Sequence, residues 1–194
     1  MIIAVTTSCN NHGQTSDTTN TVNYTTIATP NFCADSAMAY VERQLNFGYR
    51  APGYDAHNQC AKYLQQSMQQ WCDTVITQQF NTTLWDNTTT QGQNIIASFN
   101  PQATNRILLA AHWDSRLWAD HDPDKAKHHA PIPGANDGAS GVGVLMELAR
   151  VISAQRPNVA IDIIFFDAED QGVPDWADTY EDDSWCKYES LHGC

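Results

Sequence analysis

Two largely aliphatic runs, separated by a glycine-rich stretch and a helical pattern, constrain the fold most strongly. They occupy residues 106–111 and 159–166. Such runs are typical of strands that are covered on both faces by helices. Between them, residues 142–152 carry apolar side chains at helical spacing, among them Leu145 and Ala149. A strand, a long connection, a helix and a second strand, in that order, predict an α/β sheet with helices packed against it.

The part of the chain before these runs predicts two helices followed by two strands. The first helix begins at Ala34 and carries Met38, Val41 and Leu45 on its inward face. A second helix is predicted for residues 55–72, and strands are predicted for residues 73–81 and 93–99. We therefore expect a three-layer α/β/α sandwich with a mixed, mostly parallel central sheet. A sheet covered on both faces usually continues further, so its carboxyl-terminal part is expected to be missing.

The overall charge excludes one class of partner. The 194 residues include 22 acidic and 10 basic ones, which gives a net charge of -12. A polyanion would be repelled by this chain, so nucleic acid is not expected as a ligand. No apolar run approaches the ~20 residues that a membrane-spanning helix requires.

The amino-terminal stretch predicts how the protein is held. Residues 1–10 resemble the end of a bacterial lipoprotein signal in which Cys9 would be lipidated, and an arbitrary start is the alternative. Residues 10–30 are rich in Asn, Thr and Ser, which is typical of a flexible tether. We expect residues 1–30 to be a signal remnant and tether, and residues 31–194 to form one domain. The expected location is the periplasm or a membrane, as an anchored lipoprotein, and otherwise outside the cell.

The cysteines do not predict a structural metal site or a particular disulfide. No Cys-x-x-Cys motif occurs among the six cysteines, which disfavours a cysteine-bound zinc knot. Cys60 and Cys72 lie on one predicted helix, where the rise per residue would separate them by roughly 18 Å. This separation is too large for a disulfide, so buried free thiols are expected.

Polar side chains follow both aliphatic runs at the point where each predicted strand ends. His112 and Asp114 come directly after the first run, and Glu169 and Asp170 follow the second. Ligands of an α/β sheet gather beyond the carboxyl ends of its strands, so these groups converge if the two strands are neighbours. Asp137 lies in a loop with glycines at positions 134, 138 and 141, which permit the tight backbone path needed to reach the same crevice.

These side chains together indicate a zinc site. An adjacent Glu169-Asp170 pair is costly to hold without a cation. Zinc accepts both imidazole nitrogen and carboxylate oxygen, so His112, Asp137 and Asp170 are candidate ligands. Asp114 would accept the other imidazole N–H of His112 and fix its tautomer. Taken singly, a His-x-Asp motif is usually incidental and a Glu-Asp pair is usually a solvated corner, but their joint occurrence favours a site.

Five stretches together resemble the zinc aminopeptidase and glutaminyl cyclase superfamily, and within it the bacterial glutaminyl-peptide cyclotransferases of the animal type. The resemblance runs from about residue 31 to residue 186. It rests on His112-Trp113-Asp114-Ser115-Arg116, Trp118-Ala119-Asp120-His121-Asp122, Pro133 to Arg150, Phe165-Phe166-Asp167-Ala168-Glu169-Asp170 and Asp183-Ser184-Trp185-Cys186. After Cys186 the family pattern breaks off, and the resemblance implies that the chain is truncated.

The resemblance implies a role for each residue of the predicted site. Asp137 and Asp170 would be zinc ligands, and Glu169 would be the general base and acid. His112 matches a ligand of the second metal in the aminopeptidases, and in the cyclases it is present without a second zinc. The family's last ligand is a histidine on a downstream segment that this chain is expected to lack. His192 is a poor substitute, because nothing around it resembles that segment.

The implied reaction is zinc-dependent cyclisation of N-terminal glutaminyl residues to pyroglutamyl residues, with release of ammonia, on peptide or protein substrates. The same side chains would also serve a metal-dependent aminopeptidase, in which water attacks a peptide carbonyl. An inactive truncated fragment, at most a peptide-binding remnant, is the alternative from another class. The motifs therefore specify the metal site better than the substrate.

Overall fold

The computed structural model describes residues 29–177. The elements are α1 (Ala34–Leu45), α2 (Asp55–Met68), β1 (Thr74–Thr83), β2 (Thr89–Phe99), β3 (Arg106–His112), α3 (Ser140–Ala154) and β4 (Ala160–Phe166), with a 3-10 turn at Lys125–Lys127 and a π-type turn at Ala135–Ala139 before α3. The predictions for the signal remnant, for Cys9 and for His192 lie outside the described residues. None of the described helices is long and apolar enough to cross a membrane.

The described strands form one mixed sheet in the order β1-β2-β4-β3. The pairs β1–β2 and β2–β4 are antiparallel, whereas β3 and β4 run parallel with Ala111 opposite Phe165. The α/β fold with a mixed sheet is thus confirmed, and so is the prediction that the two aliphatic strands are neighbours. Only one of the three strand pairs is parallel, so the expectation of a mostly parallel sheet does not hold for the described strands.

Helices α2 and α3 pack on the same face of this sheet. A single core joins alternate strand residues such as Ile95, Ile163 and Phe165 to apolar residues of α2 and α3, and α1 packs on α3. The described residues therefore form two of the three expected layers. The opposite face carries exposed apolar side chains, with Ile76 at 58% and Leu108 at 59% exposure.

The prediction that residues 106–111 are covered on both faces is wrong for the described residues. The run forms β3, which is the last strand of the sheet, and Ile107 and Leu108 are exposed there. An aliphatic sequence alone does not distinguish a central strand from an edge strand, because both pack at least one apolar face. The second run, β4, lies inside the sheet and buries Ile161, Ile163 and Phe165 against the helices, but no described helix covers its other face, where Phe166 is 39% exposed.

Several element boundaries and part of one helix face differ from prediction. Val41 is buried as predicted, but Met38 is exposed, and α1 buries Ala37 and Gln44 beside Val41, because the helix packs on α3 along that stripe. The second helix ends at Met68 rather than residue 72. Strand β2 begins at Thr89 rather than residue 93, because its polar first residues pair with β1 in a hairpin.

The cysteines within the described residues agree with the expectation of free thiols. Cys33, Cys60 and Cys72 are free, but only Cys60, on the core-facing side of α2, is buried as expected, whereas Cys33 and Cys72 are partly exposed.

Candidate metal centre

Neighbouring strand ends bring the predicted site residues together. His112 is paired with Phe166 at the last register position of the parallel β3–β4 ladder. The backbone N–H of Trp113 then donates to the carbonyl of Phe166 at 2.9 Å, which extends the alignment by one residue. The segments that follow the two strands therefore leave the sheet side by side, one with Asp114 and the other with Glu169.

His112 lies at the centre of the predicted group. Its Nε2 is 2.9 Å from Oδ1 of Asp137, and its Nδ1 is 3.4 Å from Oδ1 of Asp114 and 3.9 Å from Oε2 of Glu169. Burial alone would lower the pKa of His112, but the carboxylates of Asp114, Asp137 and Glu169 outweigh it and raise the pKa to about 9. The imidazole thus lies among three carboxylates, but its buried Nδ1 makes no hydrogen bond, so the predicted hydrogen bond to Asp114 is not formed in this structure.

Asp114 has a second role that the sequence did not predict. Its fully buried carboxylate accepts hydrogen bonds from the backbone N–H groups of Glu169 and Asp170, both at 3.2 Å, and from Nε2 of Gln171 at 2.8 Å. Burial works to raise the pKa of Asp114, but His112 and the bonds from Gln171 and Asp170 prevail and lower it. Asp114 therefore fixes the turn that presents Glu169 and Asp170.

The turn that carries Asp137 depends on two glycines. Gly134 and Gly138 have φ values of 61° and 92°, in the region that favours glycine. A Cβ on Gly138 would lie 2.7 Å from the carbonyl oxygen of Asp114, so only glycine lets the turn approach the β3 end so closely. The prediction for these two glycines is confirmed, whereas Gly141 does not have a positive φ.

Ser140 does not cap helix α3. It is the first residue of α3, and its hydroxyl donates to the carbonyl of Asn136 at 2.5 Å. The preceding π-type turn already continues into the helix, so Ser140 is not at a capping position.

Asp170 carries a buried carboxylate oxygen that lacks a hydrogen-bond donor. Its side chain is 17% exposed, and its Oδ2 is buried without a hydrogen-bond partner. Burial and then the charge of Asp137 raise the pKa of Asp170 to about 6, although Arg116 at 3.6 Å works in the opposite direction. A buried carboxylate oxygen that no donor reaches is costly to keep ionised without a cation.

Asp137 and Asp170 face the same space. Both line a cavity of about 400 Å³ that is also bordered by Arg116, Trp118 and Ile132. The unpartnered Oδ2 of Asp170, the exposed carboxylate of Asp137 and the imidazole of His112 form the oxygen and nitrogen donor set that zinc prefers. The chemistry of these donors therefore suits zinc, and Asp137 and Asp170 present it on the wall of one cavity.

A second group of possible metal ligands lies on the rim of this cavity. Asp120, His121 and Asp175 form the only set of three such residues in the described part of the chain whose ligand atoms are all within 4.8 Å of one another. However, both oxygens of Asp120 are held by the guanidinium of Arg116, and one also accepts the N–H of Asp175 at 3.1 Å. This group is therefore an ion-paired surface cluster, in which the side chain of His121 is 80% exposed.

A buried histidine and a buried aspartate contact each other beneath the turn that follows β4. The sequence analysis did not predict this pair. Nε2 of His57 on α2 is 2.9 Å from Oδ1 of Asp167, and the other oxygen of Asp167 accepts the N–H of Gln93 at 2.7 Å. His57 also stacks on Trp113, with 4.5 Å between the ring centroids. Because Asp167 precedes Glu169 by two residues, these contacts anchor the start of the turn that carries the predicted base.

The comparison with family models agrees with this geometry. Residues 94–182 match the model of Peptidase family M28. This part of the chain is an M28 domain. The resemblance to the zinc aminopeptidase and glutaminyl cyclase superfamily is thereby confirmed, and zinc is the cofactor that this M28 domain is built to hold.

Solved structures similar to the M28 domain include both cyclases and exopeptidases. The glutaminyl cyclase of Tannerella forsythia is 50% identical, with a TM-score of 0.77, over 81% of this chain and 54% of that chain. A Zn-dependent exopeptidase from Parabacteroides distasonis is 50% identical, with a TM-score of 0.78, over 82% of this chain and 55% of that one. The glutaminyl-peptide cyclotransferase of Bos taurus is 33% identical over an alignment of 87 residues that covers 40% of this chain and 22% of the bovine protein. The chain thus spans little more than half the length of these solved relatives.

Proposed function

We propose that the protein is a zinc-dependent glutaminyl-peptide cyclotransferase. One observation carries the proposal: Asp137 and Asp170 line one cavity, while Glu169 stands beside them on the turn that Asp114 holds. The similarity to glutaminyl cyclases from Tannerella forsythia and Bacteroides thetaiotaomicron supports the choice of reaction. The substrate is a peptide or protein with an N-terminal glutamine.

Asp137 and Asp170 are the residues that would hold the metal. When bound, zinc supplies a Lewis acid that polarises the γ-carboxamide of the substrate glutamine. His112 contacts Asp137 through Nε2 and orients that carboxylate. In an enzyme with two metals, the same imidazole would instead be a ligand of the second ion.

Glu169 is the proposed general base and acid. Its side chain is 63% exposed, so it can meet a substrate, whereas its backbone N–H is fixed by buried Asp114. The α-amine nitrogen of the substrate forms a bond to its own γ-carboxamide carbon while Glu169 takes a proton from that amine. The carbon–nitrogen bond of the carboxamide then breaks, and Glu169 gives the proton to the departing ammonia.

Most of the remaining catalytic task is positioning. Nucleophile and electrophile belong to one substrate molecule, so the enzyme needs to hold a folded-back glutamine rather than bring two reactants together. The cavity beside Asp137 and Asp170 supplies a place for that residue, with Trp118 and Ile132 as its less polar walls.

A metal-dependent aminopeptidase is the second candidate. The contact of His112 with both Asp114 and Asp137 favours it, because this arrangement offers ligands for a second metal. A leucine aminopeptidase precursor from Bacteroides thetaiotaomicron is 44% identical over 84% of this chain. In that reaction, water replaces the α-amine as nucleophile and Glu169 again moves the proton.

The test is to incubate the zinc-loaded protein with a glutaminyl peptide and, separately, with a leucyl amide. Ammonia release with a pyroglutamyl product supports the cyclase, and leucine release supports the peptidase. Zinc content separates them further, since one ion per chain is expected of the cyclase and two of the peptidase. If neither product forms and the protein binds no zinc, the cyclase and the aminopeptidase are both contradicted, and the chain is an inactive fragment.

Glu169→Gln is the matched variant for the catalytic step. It should abolish turnover and leave the zinc content unchanged, because the amide cannot accept the proton. Glu42→Gln on the exposed side of α1 serves as the control, and it should retain full turnover. Turnover retained in Glu169→Gln would remove Glu169 from its role.

For location, we propose a periplasmic or membrane-anchored lipoprotein, on the basis of the residues around Cys9. Expression of the chain with Cys9 or with Cys9→Ser in a bacterium supplied with labelled palmitate tests this. Label should enter only the first protein, and equal labelling of both would contradict a lipid anchor at Cys9.

A further inference from the structure

Arg50 is a fully buried cation that links two separate parts of the candidate metal centre. Its Nε donates to the carbonyl of Trp113 at 3.0 Å, and its Nη1 and Nη2 donate to the carbonyls of Pro133 and Gly134, both at 2.8 Å. In return, the backbone carbonyl of Arg50 accepts the N–H of Ser115 at 3.2 Å. One side chain therefore bonds to the segment after β3 and to the turn before α3.

Each of these two segments carries part of the site. Trp113 lies between His112 and Asp114, and Gly134 begins the turn that presents Asp137. The carbonyl of Gly134 also accepts the N–H of Ala139 at 3.2 Å, so the bond from Arg50 is made at the first residue of that closed turn.

The fit around the guanidinium leaves little room for movement. A Cβ on Gly134 would lie 3.0 Å from Nη2 of Arg50 and 2.8 Å from the Cβ of Ser115. A change in the length or shape of the side chain at position 50 would therefore shift the turn relative to the end of β3.

The electrostatic cost of Arg50 indicates a purpose other than general stability. Its three hydrogen bonds all go to carbonyl groups, and burial lowers its pKa, opposed by Cys60 and Asp114. A buried charge is costly unless hydrogen bonds and nearby opposite charge compensate it. Here the compensation comes from three carbonyl dipoles and from buried Asp114. Lysine cannot replace this arrangement, because a single ammonium group does not have the planar fork that reaches three separate carbonyls.

We propose that Arg50 is a positioning residue of the metal centre: it sets the distance between the His112–Asp114 segment and the turn that carries Asp137. This inference rests on the proposed function, because it takes Asp137 and Asp170 as the metal ligands. Arg50 touches neither ligand side chain, and it acts through the backbone of the two segments that it joins.

The test measures zinc affinity by competition with a chromophoric chelator, together with the free energy of unfolding in urea. Arg50→Lys is expected to weaken zinc binding by about 10- to 100-fold, the usual effect of removing a group that orients metal ligands. Arg43→Lys is the matched control, because Arg43 lies over the rings of Phe47 and Tyr63 on the outside of α1. The zinc affinity of this variant should equal that of the parent protein.

A second control separates positioning from a general loss of stability. Met68→Ala removes a fully buried side chain of α2 in the core. It should lower the free energy of unfolding and leave the zinc affinity of the folded protein unchanged. Unchanged zinc affinity in Arg50→Lys overturns the proposal, and so does an equal loss of affinity in Met68→Ala.

Two further variants keep the outcome unambiguous. If Arg50→Lys does not fold, Arg50→Gln takes its place, and failure of both to fold overturns the proposal by assigning Arg50 to the whole fold. Asp137→Asn and Asp170→Asn test the metal site itself. If these two variants retain the zinc affinity of the parent protein, Asp137 and Asp170 are not the metal ligands and the proposed function fails. If both lose zinc affinity as expected, the result for Arg50→Lys tests the role of Arg50 alone.

Discussion

The buried carboxylate of Asp114 accepts the backbone N–H of Glu169 at 3.2 Å. This bond joins the residue two positions after the end of β3 to the proposed general base after β4. Because Asp114 also accepts the N–H of Asp170 and lies 3.4 Å from His112, one carboxylate determines where the base, one metal ligand and the central imidazole stand. The candidate site is therefore organised around Asp114 more than around any group that faces the cavity.

Replacement of Asp114 by Asn should impair the site in two ways. The amide keeps the shape of the side chain but removes the charge next to His112, and one of its two polar atoms can no longer accept an N–H. We expect zinc affinity to fall by about 10- to 100-fold and the free energy of unfolding to fall by about 1–3 kcal/mol. Chelator competition and urea unfolding measure the two effects. Asp35→Asn, on the exposed start of α1, is the control, and equal behaviour of the two variants would contradict the role of Asp114.

Zinc binding should weaken as the pH falls through about 6. The pKa of Asp170 is raised to about 6, first by burial and then by the charge of Asp137, so protons compete with the metal for this carboxylate. Below that pH, we expect the affinity to drop by roughly tenfold per pH unit through this group alone. Titration of zinc affinity against pH in the parent protein and in Asp170→Asn is the measurement. A pH dependence of equal steepness in both would show that Asp170 is not the competing group.

The same shift predicts how the stability of the metal-free protein varies with pH. The pKa of Asp170 in the folded state lies above its ordinary value of 3.8, so the folded protein binds this proton more tightly than the unfolded chain. The stabilisation is fully present below 3.8 and is lost as the pH rises through about 6. In chelator, the parent protein should therefore lose free energy of unfolding between pH 4 and pH 6 relative to Asp170→Asn. A flat difference across that window would contradict the raised pKa.

Local patterns in the sequence predicted the strands and the meeting of the site residues, but not the contacts that hold them. The aliphatic runs ending at Ala111 and Phe166 are local signals, and their adjacency follows from the order of the elements. Helical spacing locates α1 and its buried Val41, but it also assigns Met38 to the inward face, although Met38 is 58% exposed. Arg50 bonds to Gly134 across 84 positions of the chain. Nothing in the residues around Arg50 signals such a partner, because a long-range hydrogen bond depends on the completed packing.

The Arg116–Asp120 pair should stabilise the fold without binding metal. Burial works to raise the pKa of Asp120, but the bonds from Arg116 and from the N–H of Asp175 prevail and lower it to about 2. A lowered pKa means that the stabilisation is present above 3.8 and is lost as the pH falls through about 2. Asp120→Ala should cost about 3–5 kcal/mol, because it leaves a largely buried guanidinium without its partner. Urea unfolding at pH 7 measures this loss.

The zinc content of Asp120→Ala distinguishes the two possible metal positions. Because Arg116 occupies both oxygens of Asp120, the folded variant should bind as many zinc ions per chain as the parent protein. Loss of one ion in Asp120→Ala, with full retention in Asp170→Asn, would place the metal at the group formed by Asp120, His121 and Asp175 instead.

The buried pair of His57 and Asp167 should contribute to stability through a hydrogen bond rather than through packing alone. His57→Phe keeps an aromatic ring on Trp113 but removes the donor to Oδ1 of Asp167, which lies 2.9 Å from the imidazole. Leaving this buried carboxylate oxygen with one donor fewer should cost about 1–3 kcal/mol. His57→Gln can still donate through its side-chain amide and should recover part of that loss. Urea unfolding of both variants, alone and combined with Asp167→Asn, gives the coupling energy between the two positions. Strictly additive losses in this cycle would show that His57 supports the turn before Glu169 only by filling space.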